Sequence, residues 1–233
     1  MIPIKLTPLH AVTEALGATW VEAAGWRFPT HYTSPEKEIA AARAGVGLAD
    51  VSPHGKVQIE GARALQALRA AFGQAPDTVG GHAAVEAGGL YRLRADMFYL
   101  STPPGGEAEA CRRIEAAAAR ITAAGAGGLV TVTDLTHGLA DLRLIGPAAP
   151  DVLRRVCGLD FSDAAFPNHS ARQSSLAKTH QLILRRDFGP LRAYTTIGAR
   201  SLAAYVWGVL MEAGESLGIV PVGVAALTAL ETE

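Results

Sequence analysis

The chain has 233 residues, of which 49% are hydrophobic and 18% charged, with a formal net charge of -1. That is enough apolar material for one large domain or two close subdomains, and it excludes a disordered chain. A charge near zero argues against nucleic acid or an acidic membrane as partner. The 2 cysteines, Cys111 and Cys157, exclude a disulfide framework and suit a reducing, cytoplasmic setting.

Pro8 to Leu16 carries apolar residues at helical spacing, with Thr7-Pro8 as its start and Gly17 as its stop. Ala18 to Ala23 reads as a short strand. Gly25 to Tyr32 reads as a loop dense in aromatics. Ser34 caps a helix that opens on Pro35 and runs to about Ala44. The stretch Leu48-Ala-Asp-Val-Ser-Pro-His-Gly-Lys-Val-Gln-Ile-Glu-Gly61 then organises the chain. It gives an apolar lead, a polar turn at Asp50–Gly55 and a strand over 56–60. A helix over 62–72 follows. Ala83 to Ala87 is a weak strand. Leu90 to Arg94 and Met97 to Thr102 form an antiparallel hairpin through Ala95-Asp96. Glu107 to Ala123 is a long helix, and Gly125-Ala-Gly-Gly128 is the best internal boundary. Strands over 129–133 and 139–145 flank a second polar turn, Asp134 to Gly138. A helix over 148–156, strands over 171–178, 179–185 and 191–197, and a helix over 200–213 complete the pattern. Residues 214–232 end the chain without an assigned element.

The halves echo each other. Polar turn, strand, glycine and helix occur at Asp50-x-Ser52…Gly61 and again at Asp134-x-Thr136…Gly146. That pattern suggests a duplication with subdomains of about 1–127 and 128–233. No apolar run reaches the about 18 residues of a membrane span. None of the 7 histidines is paired with another at i, i+4 or flanked by a cysteine at ligand spacing, so no metal site is expected. No Gly-x-Gly-x-x-Gly follows a strand, which disfavours a dinucleotide fold.

Thr7-Pro-Leu-His with Gly25-Trp-Arg-Phe-Pro29, then Glu38 to Arg43 with Gly47-Leu-Ala-Asp-Val-Ser52 and Gly55-Lys-Val, open a series of ordered segments. The series resembles the glycine cleavage system T-protein (aminomethyltransferase) family and its folate-binding relatives. Asp134-Leu-Thr with Ala140 to Pro147 and Gly218-Ile-Val-Pro-Val-Gly223 continue the series. Phe166-Pro-Asn and Ala199 to Trp207 are closer to the gamma subunit of tetrameric sarcosine oxidase, of the same superfamily. The resemblance spans nearly the whole chain. It implies an α+β folate-binding domain with two mixed antiparallel-sheet and helix subdomains around a central cavity, ending where relatives add a C-terminal barrel domain. It also implies tetrahydrofolate as cofactor and one-carbon metabolism as the setting. The protein partner it implies is a carrier protein or an oxidase subunit.

The chemistry such a resemblance implies needs a carboxylate near the pterin nitrogens. The family's acidic pair falls on Glu86-Ala87, so Glu86 is the candidate catalytic residue, and an ordinary surface glutamate is the competing reading. A second family acid falls on Pro190, and a closing arginine is lost in Ala226 to Glu231. Expected cofactor contacts are Ser52, His54, Tyr99, Thr102, Arg186 and Phe188. His54, in the organising turn, is placed to bond a ligand carboxylate. Phe188 either stacks on a pterin or packs in the core. With scaffold segments kept and transfer residues replaced, two functions stand: an aminomethyltransferase-like enzyme, or a catalytically silent folate-binding or structural subunit partnering a separate oxidase.

Overall fold

The computed structural model describes residues 4–125 and 128–232. In chain order its elements are β1 (Lys5–Leu6), α1 (His10–Ala15), β2 (Thr19–Ala23), β3 (Trp26–His31), α2 (Pro35–Ala44), β4 (Val46–Asp50) and β5 (Gly55–Glu60). Next come α3 (Ala64–Phe72), β6 (His82–Val85), β7 (Gly88–Arg94), β8 (Met97–Thr102), α4 (Glu107–Ala123), β9 (Thr131–Asp134) and β10 (Leu139–Ile145). The chain ends with α5 (Ala149–Val156), β11 (Ser170–Leu176), β12 (Thr179–Arg185), β13 (Ala193–Ala199), α6 (Ala203–Gly214), β14 (Ile219–Pro221) and α7 (Val224–Thr232).

Two compact units form, and neither follows a split at 127/128. Unit 1 holds Met1–Ser52, Leu139–Asn168 and Arg172–Glu233. Unit 2 holds Pro53–Gly138 and His169–Ala171. The boundary read at Gly125 to Gly128 includes Ala126 and Gly127, which lie outside the described residues.

In unit 1, a six-stranded sheet of order β11-β12-β13-β10-β4-β14 is the middle layer. Strand β4 is buried along its whole length, so it lacks the alternation that marks a half-exposed strand. Val46 and Leu48 point to one face, where they pack with Val152 and Leu153 of α5 and Val206, Trp207 and Leu210 of α6. Ala49 and Val51 point to the other, with Ala42 of α2 and Ala226, Leu227 and Leu230 of α7. Each fully buried Val or Leu among these contributes about 1.5–3 kcal/mol by leaving water, and each Ala about a third of that. The unassigned C-terminal residues thus form a helix because a sheet face is there to receive it.

A second sheet, β1-β3-β2, belongs to the same unit. Its middle strand β3 covers residues read as a loop. Pro29 is tolerated there because β1 pairs only with Trp26 and Arg27, and the β2 register shifts between Thr19 and Trp20, opposite Pro29. Helix α2 starts as its sequence requires, with Ser34 Oγ accepting from Lys37 N at 3.4 Å and Pro35 in the first turn.

Unit 2 is a five-stranded sheet of order β6-β7-β8-β5-β9 with α3 and α4 on one face. Val57, Ile59, Leu90, Phe98 and Leu100 meet Ala64 and Leu68 of α3 and Ala110 and Ile114 of α4. The predicted hairpin of β7 and β8 is present, with a register irregularity between Arg92 and Arg94.

The two polar turns are built alike. Ser52 N donates to Asp50 Oδ1 at 3.0 Å, and Thr136 N to Asp134 Oδ1 at 2.9 Å. The side-chain oxygen closes a local turn in each case. Each turn then hands its hydroxyl to a strand from the other half of the sequence. Ser52 Oγ accepts from Asp141 N at 3.2 Å in unit 1, and Thr136 Oγ1 accepts from Lys56 N at 3.0 Å in unit 2. The backbone repeats the pattern: Val51 N donates to Asp141 O, and Leu135 N to Lys56 O. The chain leaves unit 1 after Ser52 and returns after Gly138, so the six-stranded and the five-stranded sheet each take strands from both halves.

Candidate functional site

Strand alternation gives the unit 2 sheet a second face, away from α3 and α4. Register places Thr133, Gln58, Tyr99, Tyr91 and His82 side by side across all five strands of that face. Tyr91 and Tyr99 are 3% and 2% exposed, so two large phenols with polar tips are buried in one row. The His82 ring lies 4.7 Å from Tyr91 and stacks on His169 at 5.1 Å. Gln58 Nε2 donates to Glu60 Oε2 at 3.0 Å, and Glu60 Oε1 accepts from Arg94 at 2.6 Å.

Gly89, between these side chains, shapes the row. A Cβ there would sit 3.2 Å from Tyr91 Cε2 and 3.3 Å from His82 Nε2. Both side chains lean over its bare Cα, which a larger residue would push apart. On the next line of the same face, Lys56 is fully buried and its Nζ donates to His54 O at 2.7 Å. An arrangement of planar rings, an amide and an imidazole suits a planar heteroaromatic with a hydrogen-bonding edge.

The seven sequence-derived site residues divide between the units. Tyr99 lies in the aromatic row. His54 lies in the organising turn and contributes its carbonyl to Lys56. Thr102 is on the helix-facing side, in register with Gly55. A Cβ on Gly55 would meet Thr102 Oγ1 at 2.3 Å and Glu107 Oε2 at 2.9 Å, so only glycine permits that packing. Glu86 sits in the turn between β6 and β7, 81% exposed and 2.9 Å from Arg113. Its carboxylate therefore has the setting of a surface ion pair.

The other three belong to unit 1. Ser52 is 1% exposed and closes the turn described above. Phe188 packs among Ala49, Val51, Ile145 and Leu230, flanked by the guanidiniums of Arg143 at 5.7 Å and Arg186 at 5.2 Å. Phe188 thus belongs to an apolar cluster, and Arg186 is exposed on its outer side. Tyr91, His82, Gln58 and Lys56 were not among the expected residues.

Unit 1 also holds buried charge. Glu38, 2% exposed, accepts from Tyr32 N at 2.6 Å, Thr33 N at 2.9 Å and Gly223 N at 2.8 Å. This one carboxylate ties the bend after β3 and the residue before α7 to α2. Burial, with Asp50 and then Glu38 nearby, pushes the Tyr32 phenol well above its usual range. Arg185 is clamped by Asp187 at 2.7 Å, Asp163 at 2.7 Å and Phe166 O at 2.5 Å. In unit 2, burial and then Asp134, Glu115 and Glu107 push the Cys111 thiol up to about 11, which disfavours thiolate chemistry at neutral pH. Among the described residues no cluster of His, Cys, Asp and Glu is arranged to hold a metal ion. No described helix is long and apolar enough to cross a membrane.

The model of the GCVT N-terminal domain matches residues 9–233. Over 254 residues the chain is 30% identical to sarcosine oxidase subunit alpha of Rhizobium meliloti, covering 99% of this chain and 25% of that protein. Over 243 residues it is 26% identical to an aminomethyltransferase of Saccharopolyspora erythraea, covering 98% of this chain and 63% of that one. The chain thus spans less than two thirds of these relatives. The crystal structure of aminomethyltransferase T from Bartonella henselae superposes with a TM-score of 0.81 at 25% identity, over 98% of this chain and 62% of that one. A chain of the heterotetrameric sarcosine oxidase from Corynebacterium sp. U-96 shares the fold, with a TM-score of 0.69 at 22% identity over 92% and 96% of the two chains. The mixed α+β architecture is the one these matches have in common.

Proposed function

This chain belongs to the GCVT N-terminal domain family, and on that premise we propose that it binds tetrahydrofolate in cytoplasmic one-carbon metabolism. In this reading it holds the folate for a separate oxidase or carrier protein and transfers no aminomethyl group through Glu86. The row of Gln58, Tyr99, Tyr91 and His82 carries the reading. Its phenol rings suit the plane of a pterin, and its amide and imidazole suit the pterin's amino and carbonyl edges. When bound, a reduced pterin supplies the amine nitrogens that take up a one-carbon unit. The chain's share is to orient that ring and to keep water from it.

The surface ion pair of Glu86 with Arg113 favours a silent role, because a general acid or base has to reach its substrate. Relatives named aminomethyltransferase favour the second reading, in which the chain carries out transfer itself. A thermal-shift titration with 5-formyltetrahydrofolate tests binding. Saturation to about 100 times Kd adds about 2.7 kcal/mol of stability. Tyr99→Leu, which keeps an apolar side chain, is expected to weaken binding about tenfold through lost stacking. Ammonia release from an aminomethyl donor is expected to stay at background. An unchanged melting temperature at saturating ligand refutes folate binding, and turnover that vanishes in Glu86→Ala refutes the silent role.

A further inference from the structure

In unit 1 one face of the β1-β3-β2 sheet, half-buried at Trp20 and Arg27 and edged by His10 of α1 at 4.5 Å from the Trp20 ring, carries cations without carboxylate partners among the described residues. Leu6 and Arg27 are register partners on parallel strands, so their side chains share that face. Trp20 lies opposite Pro29, two residues along, and the Arg27 guanidinium rests 5.5 Å from its ring. Arg27 Nε is buried and has no hydrogen-bond acceptor. Glu22, its register partner on β2, makes no ion pair with it among the described residues. Arg200 reaches the same strand, donating from Nη2 to Leu6 O at 2.9 Å, and it too has no carboxylate partner among the described residues. By contrast, Arg143 and Arg185 of the same unit are each paired.

Beside these cations lies apolar surface. Leu6 is 42% exposed, Leu202 39% and Tyr205 48%. Leu202 and Tyr205 stand three residues apart at the start of α6, whose inward face is filled by Ala203, Val206 and Trp207. A surface that gathers Trp, Tyr and Arg around exposed leucines has the composition of an interface centre.

We infer that Leu6, Trp20, Arg27, Arg200, Leu202 and Tyr205 form a docking surface for a different protein, one presenting carboxylates around an apolar anchor. Charge selects that occupant. A second copy meeting this patch about a two-fold axis would bring guanidiniums towards guanidiniums. An acidic partner supplies the carboxylates that Arg27 and Arg200 lack among the described residues, at little ordering cost because Trp20 and Leu6 O already hold the two side chains. The surface does not depend on whether the chain binds folate.

The test places a photo-crosslinking p-benzoylphenylalanine at Tyr205 in the full chain, expressed in its native host. The expected adduct joins one other protein, with aspartate or glutamate flanking the linked residue. Arg27→Glu with Arg200→Glu should cut its yield about tenfold, and so should about 0.5 M salt, which shortens the screening length to a few ångströms. The same probe at Leu129, exposed in unit 2, should give no such adduct. An unchanged melting temperature and unchanged 5-formyltetrahydrofolate titration of the double variant show that its fold is intact. An adduct to a second copy or to lipid overturns the inference. So does no adduct at all, or one that survives both charge reversals.

Discussion

Thr136→Val isolates one hydrogen bond on which unit 2 depends. Valine keeps the shape of threonine and removes the hydroxyl that accepts from Lys56 N at 3.0 Å. Thr136 is 1% exposed and Lys56 is fully buried, so water cannot replace the lost acceptor without opening the structure. Stranding a buried N–H costs about 1–3 kcal/mol. A value near 2 kcal/mol corresponds to a fall of about 4–8 °C in melting temperature for a chain of this size. Differential scanning calorimetry reads the shift, and urea unfolding checks that the slope of stability with denaturant is unchanged. A melting temperature within about 1 °C of the parent would mean that the Lys56 amide finds another acceptor, and the account of the turn as a strand anchor would be wrong.

Glu86→Ala should change stability by less than about 0.5 kcal/mol, as expected for an exposed ion pair, and calorimetry would read it. Glu38→Gln keeps the side-chain shape but loses the charge that three backbone N–H groups meet, and should cost about 1.5–3 kcal/mol by urea unfolding. Cys111 has its folded pKa raised from 9.0 to about 11, so the protonated thiol favours the folded state. The stability it contributes is complete below pH 9 and is lost between there and about 11. A Cys111→Ser variant should therefore lose less stability than the parent across that window, and equal losses would contradict the assignment.

Elements with one strong local signal were legible. Ser34 and Pro35 announce α2, and the alternation of 139–145 gives β10. Elements defined by what covers them were not. Strand β4 lacks alternation because both its faces are buried, and α7 exists where a sheet face receives Leu227 and Leu230. The candidate site shows the same limit more sharply. A two-residue turn at Ala95-Asp96 implies Tyr91 opposite Leu100, on the helix side. The irregularity between Arg92 and Arg94 moves Tyr91 opposite Tyr99 and so to the other face. Nothing local in Arg92-Leu93-Arg94 announces that shift. Glu86 and Thr102 were placed by alignment to a family pattern, which carries no information about which way a turn or strand faces.

The exchange of strands between the two halves has a consequence for how the gene can be divided. A cut in the glycine-rich stretch at 125–128 would yield two fragments, each holding strands that the other's sheet requires: β4 pairs with β10, and β5 with β9. Expressed singly, such fragments would offer unpaired strand edges to any neighbour; expressed together, they are expected to reassemble through those two strand pairings.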